Sequence, residues 1–312
     1  MANEDSGFRR HGLFLDREFL EAFHRSQMES WPMAAENFRA LEGVETRQVD
    51  VDGFTFTLQH NPARVRSTAA KVDAASLAAR KCFLCRQNRP AQQHHALVSL
   101  GHDYELLVNP YPIFPLHFTI PLLHHREQNI TALGSPTIAD MLLLARRMPG
   151  MAVFYNGPRC GASAPDHFHF QAVEADRLPL LRVIEEAPWS IPFEVRYILA
   201  DRVADAMFEF DGVIEELKGM EENRGEKEPR MNILATYVDG EYRAVVIPRR
   251  AHRPDFYGEG EGRMLLSPAS VDLGGVIVVP SADDFRRIDA SVIKEVLRQT
   301  TVAANRGHRP RN

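Results

Sequence analysis

Residues 156–171 read NGPRCGASAPDHFHFQ and place a turn-rich loop directly before a segment in which polar and aromatic side chains alternate. On an extended backbone, His167, His169 and Gln171 would project from one face of a strand, with phenylalanines on the other face. The glycines, prolines and serine of the loop allow backbone amides to turn toward an anion in front of the histidines. The stretch therefore predicts an active site for a phosphate ester.

A purely structural role for these side chains is the competing interpretation. A single buried histidine is usually a core residue with satisfied hydrogen bonds, and a short glycine loop alone means little. However, burying two histidines and a glutamine together without partners or a ligand would cost several kcal/mol. The functional interpretation is therefore favoured.

The segment resembles the signature of the histidine-triad superfamily in its transferase branch. That branch includes the galactose-1-phosphate uridylyltransferases, the diadenosine tetraphosphate phosphorylases and the plant-type GDP-hexose phosphorylases. The signature is His-x-His-x-Gln after an Asn…Gly…Gly-x-Ser loop. Here the two parts are His167-Phe168-His169-Phe170-Gln171 and, before them, Asn156, Gly157, Gly161 and Ser163.

The resemblance implies the fold and several residue roles. The expected fold is α+β, a duplicated histidine-triad-like fold with antiparallel sheets flanked by helices. His169 is the expected nucleophile, and Gln171 stands where hydrolase members of the superfamily have a third histidine. Asn156, Gly161 and Ser163 are the expected substrate-binding residues of the loop.

Composition places the chain among ordinary globular proteins. It has 312 residues and 44% hydrophobic content, enough for one large or two modest cores. The formal net charge of −5 gives no general reason to bind nucleic acid or an anionic membrane. Because neither a signal-peptide run nor an apolar stretch of about 18 residues occurs, we expect a cytoplasmic protein.

Hydrophobic periodicity predicts helices and strands along the whole chain. A helix from Asp16 to about Leu41 should break at Pro32, and Asp52-Gly53 and Asp239-Gly240 are two-residue hairpin turns. The remaining predictions are strands at residues 104–109, 116–121, 151–155 and 274–279, a helix capped by Ser135 with Pro136 in its first turn, a helix over about 200–220 and a final helix over about 283–299.

A short repeat supports the duplication. Residues 120–126 and 247–253 share Ile-Pro-x-x-x-His-Arg at the exit of a predicted strand. We therefore expect an N-terminal half, residues 1–187, that contains Cys-x-x-Cys and His-x-His-x-Gln, and a C-terminal half, residues 188–312, without the catalytic motif. In the C-terminal half Val271–Val276 takes the place of the histidine motif.

Cys82 and Cys85 form a Cys-x-x-Cys motif on what the following polar residues predict to be a tight knuckle. Two thiolates so placed can bind one zinc ion. The alternatives are a redox pair, which would need a thioredoxin-like strand and helix, and two ordinary buried cysteines. Zinc is favoured because the site needs two more ligands and histidines are abundant downstream.

The resemblance also implies which histidines complete the zinc site. In the uridylyltransferases a histidine just after the matching strand joins two cysteines and the first motif histidine. The expected structural Zn²⁺ site is therefore Cys82, Cys85, His125 and His167. By position in the sequence, the other candidates for the third ligand are His94, His95, His117 and His124.

A dense basic cluster in the C-terminal half offers further contacts to phosphate. Arg249, Arg250 and Arg253 are candidates because the guanidinium group pairs with phosphate through a planar fork of donors. A solvated turn at a strand end is the alternative interpretation. Arg64 and Arg66, and Arg86 with Arg89, are weaker candidates in the N-terminal half.

The predicted activity is that of a nucleotidyltransferase or phosphorylase. His169 would attack a nucleoside diphosphate sugar or dinucleoside polyphosphate to give a nucleotidyl-histidine, and phosphate or a sugar phosphate would then accept the nucleotide. Gln171 favours transfer over hydrolysis because an amide binds charge but is no base near neutral pH. The alternatives are a histidine-triad nucleotide hydrolase and a catalytically silent, zinc-stabilised nucleotide-binding or interaction protein.

The expected partners follow from this activity. They are the nucleotide substrate and the phosphate or sugar-phosphate acceptor, with neither nucleic acid nor a membrane among them. A homodimer is compatible with the sequence. The residues do not select the nucleobase, the sugar or the acceptor.

Overall fold

The computed structural model describes residues 15–65, 72–134 and 137–304. The helices in these ranges are α1 (Arg17–Ser30), α2 (Pro32–Arg39), α3 (Ala74–Ala78), α4 (Ile138–Arg147), α5 (Pro179–Glu186), α6 (Val203–Lys218), α7 (Ser270–Leu273), α8 (Ala282–Arg287) and α9 (Ala290–Thr300). The strands are β1 (Glu45–Val51), β2 (Phe54–His60), β3 (Ala96–Ser99), β4 (Asp103–Val108), β5 (His117–Pro121), β6 (Met151–Asn156), β7 (His169–Glu174), β8 (Arg196–Ala200), β9 (Met231–Val238), β10 (Glu241–Pro248) and β11 (Val276–Val279).

The strands form one large and one small sheet. The eight-stranded sheet has the order β3-β4-β5-β7-β6-β9-β10-β8, and its neighbours pair in antiparallel fashion. The three-stranded sheet has the order β1-β2-β11, in which β11 runs parallel to β2. Helices pack against these antiparallel-rich sheets, and the α+β fold class predicted from the sequence is confirmed.

The two predicted halves meet in the middle of the large sheet. Strand β6 from the N-terminal half pairs with β9 from the C-terminal half, with Asn156 opposite Asn232 at the end of the ladder. The predicted boundary falls at the short turn Pro188–Ser190 before β8. One sheet therefore spans both halves.

A hydrophobic core covers each face of the large sheet. Along β7, Phe170 and Ala172 belong to the core on one face, and Val173 belongs to the core shared with the small sheet. Because side chains alternate along a strand, His169 and Gln171 point to the same face as Val173. The fold therefore directs the two motif residues toward the space between the sheets.

Several local predictions are confirmed. The first helix ends at Ser30, and Pro32 begins α2. Both predicted hairpins form, and the aspartate and glycine of each turn have positive φ: 55° and 93° at residues 52 and 53, and 53° and 91° at residues 239 and 240. These angles are those of a two-residue hairpin turn that matches the twist of its strands.

Two predictions differ from the structure. Strand β7 begins at His169, so His167 lies in the preceding turn, which the hydrogen bond from His167 N to Ala164 O closes. The final helix is two helices, because the carboxylate of Asp289 accepts from Ser291 N and Val292 N and so caps α9 as a new helix. The predicted cap at Ser135 and Pro136 lies outside the described residues.

The repeated Ile-Pro-x-x-x-His-Arg segments begin in equivalent places. Pro121 ends β5 and Pro248 ends β10, and both strands belong to the large sheet. The halves diverge afterwards, since β7 joins the large sheet whereas β11 joins the small one. Among the described residues, no helix has both the length and the apolar character that a membrane crossing requires.

Candidate active site

The start of β7 is held in place by a buried glutamine. Gln128 Oε1 accepts from the backbone N–H of His169 at 2.8 Å, and its Nε2 donates to the carbonyl oxygens of His169 and Asn156, both at 3.0 Å. One side chain thus fixes the beginning of β7 against the end of β6. Sequence reasoning assigned Gln128 no role, because its partners are main-chain groups that only the fold brings together.

The ring of His169 has a defined tautomer. Its Nδ1 lies 2.8 Å from the carbonyl oxygen of His167, and a carbonyl can only accept, so Nδ1 carries the hydrogen and Nε2 the lone pair. Burial lowers the pKa of His169 to about 4, so the ring is neutral at pH 7. Nε2 has no hydrogen-bond partner within the described part of the chain and is available to a ligand in the cavity.

The amide of Gln171 is oriented by a chain of hydrogen bonds. His117 Nδ1 accepts from the backbone N–H of Ile113 at 3.2 Å, which leaves the ring hydrogen on Nε2. That Nε2 lies 3.0 Å from Gln171 Oε1, and Asn109 Nδ2 donates to the same oxygen at 3.3 Å. The oxygen of Gln171 is therefore occupied, and its amino group is left to bind a ligand.

His117 remains neutral in this chain of hydrogen bonds. Burial, and secondly the positive charge of Arg64, lower the pKa of His117 to about 3. A neutral ring with one donor and one acceptor matches its two partners, Ile113 N and Gln171 Oε1. His117, an open candidate for metal ligation, thus contacts the predicted phosphoryl-binding glutamine instead.

The end of β6 and the loop before β7 contact the C-terminal half. Asn156 Oδ1 accepts from Asn232 Nδ2 at 2.8 Å and from the backbone N–H and the hydroxyl of Ser270 at 2.9 and 2.7 Å. Gly161 has φ +98°, and a Cβ atom there would overlap Ala269 Cβ and lie 3.0 Å from Ala269 Cα. Only glycine allows this close approach.

A cavity of about 490 Å³ lies in front of these residues. Its volume is within the range of small-molecule binding sites. Its wall contains the predicted residues Asn156, Gly161, Ser163, His169 and Gln171, with Arg253 on the C-terminal side. Further lining residues include Trp31, Arg64, Phe83, Tyr111, His252, Ser267 and Asp272.

Of the three predicted arginines, only Arg253 faces the cavity. Its Nε donates to Ser267 Oγ at 3.0 Å, and its guanidinium lies over the Tyr257 ring, 4.0 Å from the centroid. Arg250 pairs with Glu222 at 3.0 Å and does not line the cavity. Its position is therefore that of a residue in a solvated turn at a strand end, which is the alternative interpretation of the basic cluster.

Arg249 is a buried structural residue. It is 1% exposed and uses all five of its N–H groups within the fold, so none is left for a substrate. A run of arginines in the sequence could not distinguish this position from Arg253, because the distinction depends on which side chain turns inward. The acceptors of Arg249 are Thr300 O, Asn232 Oδ1, Pro268 O, Ala251 O and His252 O.

The structure brings together the four predicted metal ligands. One ligand atom each from Cys82, Cys85, His125 and His167 lies within 4.8 Å of all the others. His167 Nδ1 is 3.2 Å from Cys82 Sγ and 3.5 Å from Cys85 Sγ, and His125 Nδ1 is 3.1 Å from Cys85 Sγ. A tetrahedral zinc site has ligand-to-ligand separations of about 3.5 Å.

The ring of His167 is oriented for metal ligation. Its Nε2 lies 2.8 Å from the carbonyl oxygen of Leu122, so Nε2 carries the hydrogen and Nδ1 faces the thiols as a free base. Burial raises the pKa of the Cys82 thiol to about 11, the opposite of what a redox-active cysteine requires. The donor set and its geometry therefore fit a metal ion better than a redox pair.

The remaining candidate histidines lie outside this cluster. His94 Nδ1 contacts Ser26 Oγ at 3.3 Å, and His95 Nε2 contacts the guanidinium of Arg86. His124 is exposed at the surface. Among the five candidates for the third ligand, the structure places only His125 beside the two cysteines.

A family model described as a domain of unknown function, DUF4922, matches residues 23–174. This range covers the cysteine motif and the histidine motif but leaves out most of the C-terminal half. No curated protein matches the chain in sequence. The family match therefore covers an N-terminal region and indicates no activity.

Solved structures share the fold over nearly the whole chain. Yeast Ap4A phosphorylase Apa2 in complex with Ap4A is 14% identical with a TM-score of 0.59, and the match covers 90% of this chain and 98% of that one. A second structure of yeast Ap4A phosphorylase Apa2 is 17% identical with a TM-score of 0.56, over 87% and 97% of the two chains. Its complex with AMP is 14% identical with a TM-score of 0.55, over 91% and 99%. This chain therefore has the fold of yeast Ap4A phosphorylase Apa2.

Proposed function

We propose that the protein is a nucleotidyltransferase that acts as a phosphorylase through a covalent nucleotidyl-His169. One observation is the main support for this proposal: the neutral His169 ring has its lone pair on Nε2 at the wall of the cavity that Gln171 and Ser163 also line. The shared fold with an enzyme whose structures contain AMP and Ap4A supports a nucleotide substrate. A dinucleoside polyphosphate is the first substrate to test, and a nucleoside diphosphate sugar is the second.

In the first step, His169 Nε2 attacks the α-phosphorus of the substrate. A phosphorus–nitrogen bond forms, and the bond from phosphorus to the bridging oxygen breaks with its electron pair on the leaving phosphate. The leaving phosphate has a second pKa of about 6, so it can depart at neutral pH without protonation by a general acid. The N–H at Nδ1 continues to donate its hydrogen bond to the carbonyl oxygen of His167. This hydrogen bond stabilises the positive charge that the ring gains.

Gln171 and the loop hold the phosphoryl group during transfer. The amino group of Gln171 donates to a non-bridging oxygen, because its own oxygen is occupied by His117 and Asn109. The Ser163 hydroxyl has no partner within the described residues and lines the same cavity. In the second step, an oxygen of the acceptor phosphate attacks phosphorus, and the electron pair of the phosphorus–nitrogen bond returns to Nε2.

The four-residue cluster would hold one structural zinc ion. When bound, the ion would tie the cysteine knuckle to the turn that precedes β7. The four side chains would occupy all four coordination positions of the ion, so no position would be left open for a substrate or water. His167 would then fix the entry of the chain into the strand of His169.

Product analysis tests the proposed activity. Incubated with Ap4A and inorganic phosphate, the protein should release ADP and ATP, and without phosphate it should release no more than the stoichiometric first product. AMP released catalytically in water alone would identify a hydrolase and reject phosphorolysis. Binding of Ap4A without any product would support the catalytically silent alternative.

A further inference from the structure

Arg64 is an incompletely bonded cation in the wall of the same cavity. It ends the short helical turn Pro62–Arg64 after β2, and its Nη1 donates to the carbonyl oxygen of Tyr111 at 2.5 Å. Its Nε is buried and has no hydrogen-bond partner among the residues that the structure describes. Burial lowers the pKa of Arg64 to about 10, so the guanidinium is charged at neutral pH.

Among the described residues, no carboxylate forms a direct ion pair with Arg64, whose hydrogen-bond acceptor is the carbonyl oxygen of Tyr111. Asp272 acts on it electrostatically, but the two Asp272 oxygens accept from the backbone N–H groups of Ala269 and Val278 at 2.9 and 3.0 Å. The neighbouring residues 66–71 read RSTAAK and contain no acid. A buried guanidinium without a direct ion pair is costly, and a bound anion would reduce that cost.

Arg64 acts on the catalytic end of the cavity. Its charge is the second cause of the low pKa of His117, and His117 donates directly to Gln171. Arg64 and Gln171 also line the same cavity, so the guanidinium shares that cavity with the amide that would hold the α-phosphoryl group. An anion bound by Arg64 would therefore lie in the cavity where the reacting phosphorus would be held.

We propose that Arg64 binds the phosphate group that is exchanged on the α-phosphorus, a role that rests on the proposed function. This group is the leaving phosphate in the first step and the acceptor phosphate in the second. Both occupy the side of phosphorus opposite His169 Nε2, because each step is an in-line displacement at the same phosphorus atom. A guanidinium suits this position, since its planar fork matches two phosphate oxygens.

Direct binding of inorganic phosphate to the full-length protein tests this assignment. Arg64→Gln should weaken phosphate binding roughly 10- to 100-fold by calorimetry, because it removes a charge-assisted pair of hydrogen bonds. Arg64→Lys keeps the charge without the fork and should lie between the wild type and Arg64→Gln. The matched control is Arg182→Gln, an exposed arginine that pairs with Glu186 outside the cavity and should bind phosphate as the wild type does.

AMP serves as the control ligand, since its phosphate would occupy the α-position and not the exchanged one. Arg64→Gln should bind AMP within about 3-fold of the wild type. Unchanged phosphate affinity in Arg64→Gln, or an equal loss of AMP affinity, would overturn the assignment. An Arg64→Gln protein that unfolds leaves Arg64→Lys as the deciding variant, and wild-type phosphate affinity in that variant would also overturn it.

The His169→Ala protein separates this inference from the proposed activity. It cannot form the nucleotidyl-histidine, yet it should bind phosphate in an Arg64-dependent manner. Arg64-dependent binding without turnover of Ap4A by the wild type would reject the activity and leave the anion site in place. Turnover with an unchanged KM for phosphate in Arg64→Gln would reject the anion site alone.

Discussion

His117 Nε2 lies 3.0 Å from Gln171 Oε1, and this contact decides which end of the glutamine amide faces the cavity. The backbone N–H of Ile113 sets the tautomer of His117 from the other side of the ring. A main-chain group thus controls, through one imidazole, whether Gln171 presents a hydrogen-bond donor or an acceptor to the cavity.

Replacing His117 by Phe should lower kcat roughly 10- to 100-fold with a smaller effect on KM, because the amide of Gln171 is then free to turn its oxygen toward the phosphoryl group. Steady-state kinetics on Ap4A and phosphate measures the split. In a Gln171→Ala background the same substitution should have little further effect on kcat. Additive losses in the double variant would show that His117 does not act through Gln171.

His169→Ala should abolish any covalent nucleotidyl adduct that mass spectrometry detects after incubation with Ap4A, since the attacking nitrogen is gone. The matched control is His60→Ala, because His60 lies at the end of β2 outside the cavity lining. That control should retain the adduct. An adduct that persists in His169→Ala would assign the nucleophile to another residue.

The purified protein should contain about one zinc ion per chain by elemental analysis. Cys82→Ser and His167→Ala should lose the metal and unfold at a lower temperature, because the energy of metal binding contributes to folding. Cys160→Ala is the matched control, since this buried cysteine lies outside the four-residue cluster. Well-folded wild-type protein without stoichiometric metal would count against the site.

Gly161→Ala should destabilise the protein and reduce activity, because the new methyl group would combine positive-φ strain with overlap at Ala269. Gly150→Ala isolates the first effect: Gly150 has φ +77° with nothing near its Cβ position, so only about 1–2 kcal/mol of strain is expected. Urea unfolding and kinetics compare the two variants. Equal losses of stability and activity in the two variants would show that the close approach to Ala269 does not explain the glycine at residue 161.

Glu228 should make the stability of the protein fall as the pH rises. Burial raises the pKa of this carboxyl from its usual 4.5 to about 8, and its oxygens contact Tyr155 OH and Ile130 N. Between these two pKa values the folded state holds a proton that the unfolded state has lost, so the contribution of Glu228 falls by up to about 1.4 kcal/mol per pH unit. It is fully present below pH 4.5 and lost by about pH 8.

Glu228→Gln should flatten this profile in urea unfolding experiments between pH 5 and pH 8.5. The difference between the variant and the wild type isolates Glu228 from other groups that titrate in the same range, such as Asp272, whose pKa burial raises to about 6. Parallel profiles for the two proteins would show that Glu228 is ionised in the folded state.

The sequence was sufficient for features that depend on local pattern. Hydrophobic alternation and the Asp-Gly pairs predicted both hairpins, and the motif spacing predicted that His169 and Gln171 share one face. The family resemblance selected His125 among five histidines, and the structure places it beside the cysteines.

Features that depend on contacts between distant segments were not predictable from one sequence. Gln128 acts on main-chain groups of β6 and β7, and His117 reaches Gln171 across two paired strands. Whether an arginine of the basic cluster faces the cavity or the interior depends on side-chain direction at a strand exit, which sequence spacing does not encode. The small sheet was also missed, because β11 lies more than 200 residues after β2.

The pairing of β6 with β9 restricts how a substrate can enter. Swinging the two halves apart like a hinge would break that ladder and the contacts of Asn156 with Asn232 and Ser270. The distance between His169 and Arg253, which both line the cavity, is therefore nearly fixed before a ligand arrives. Under the proposed function, such a preorganised site would select its substrate by the length of the phosphate chain that the cavity accommodates, and not by closing around it.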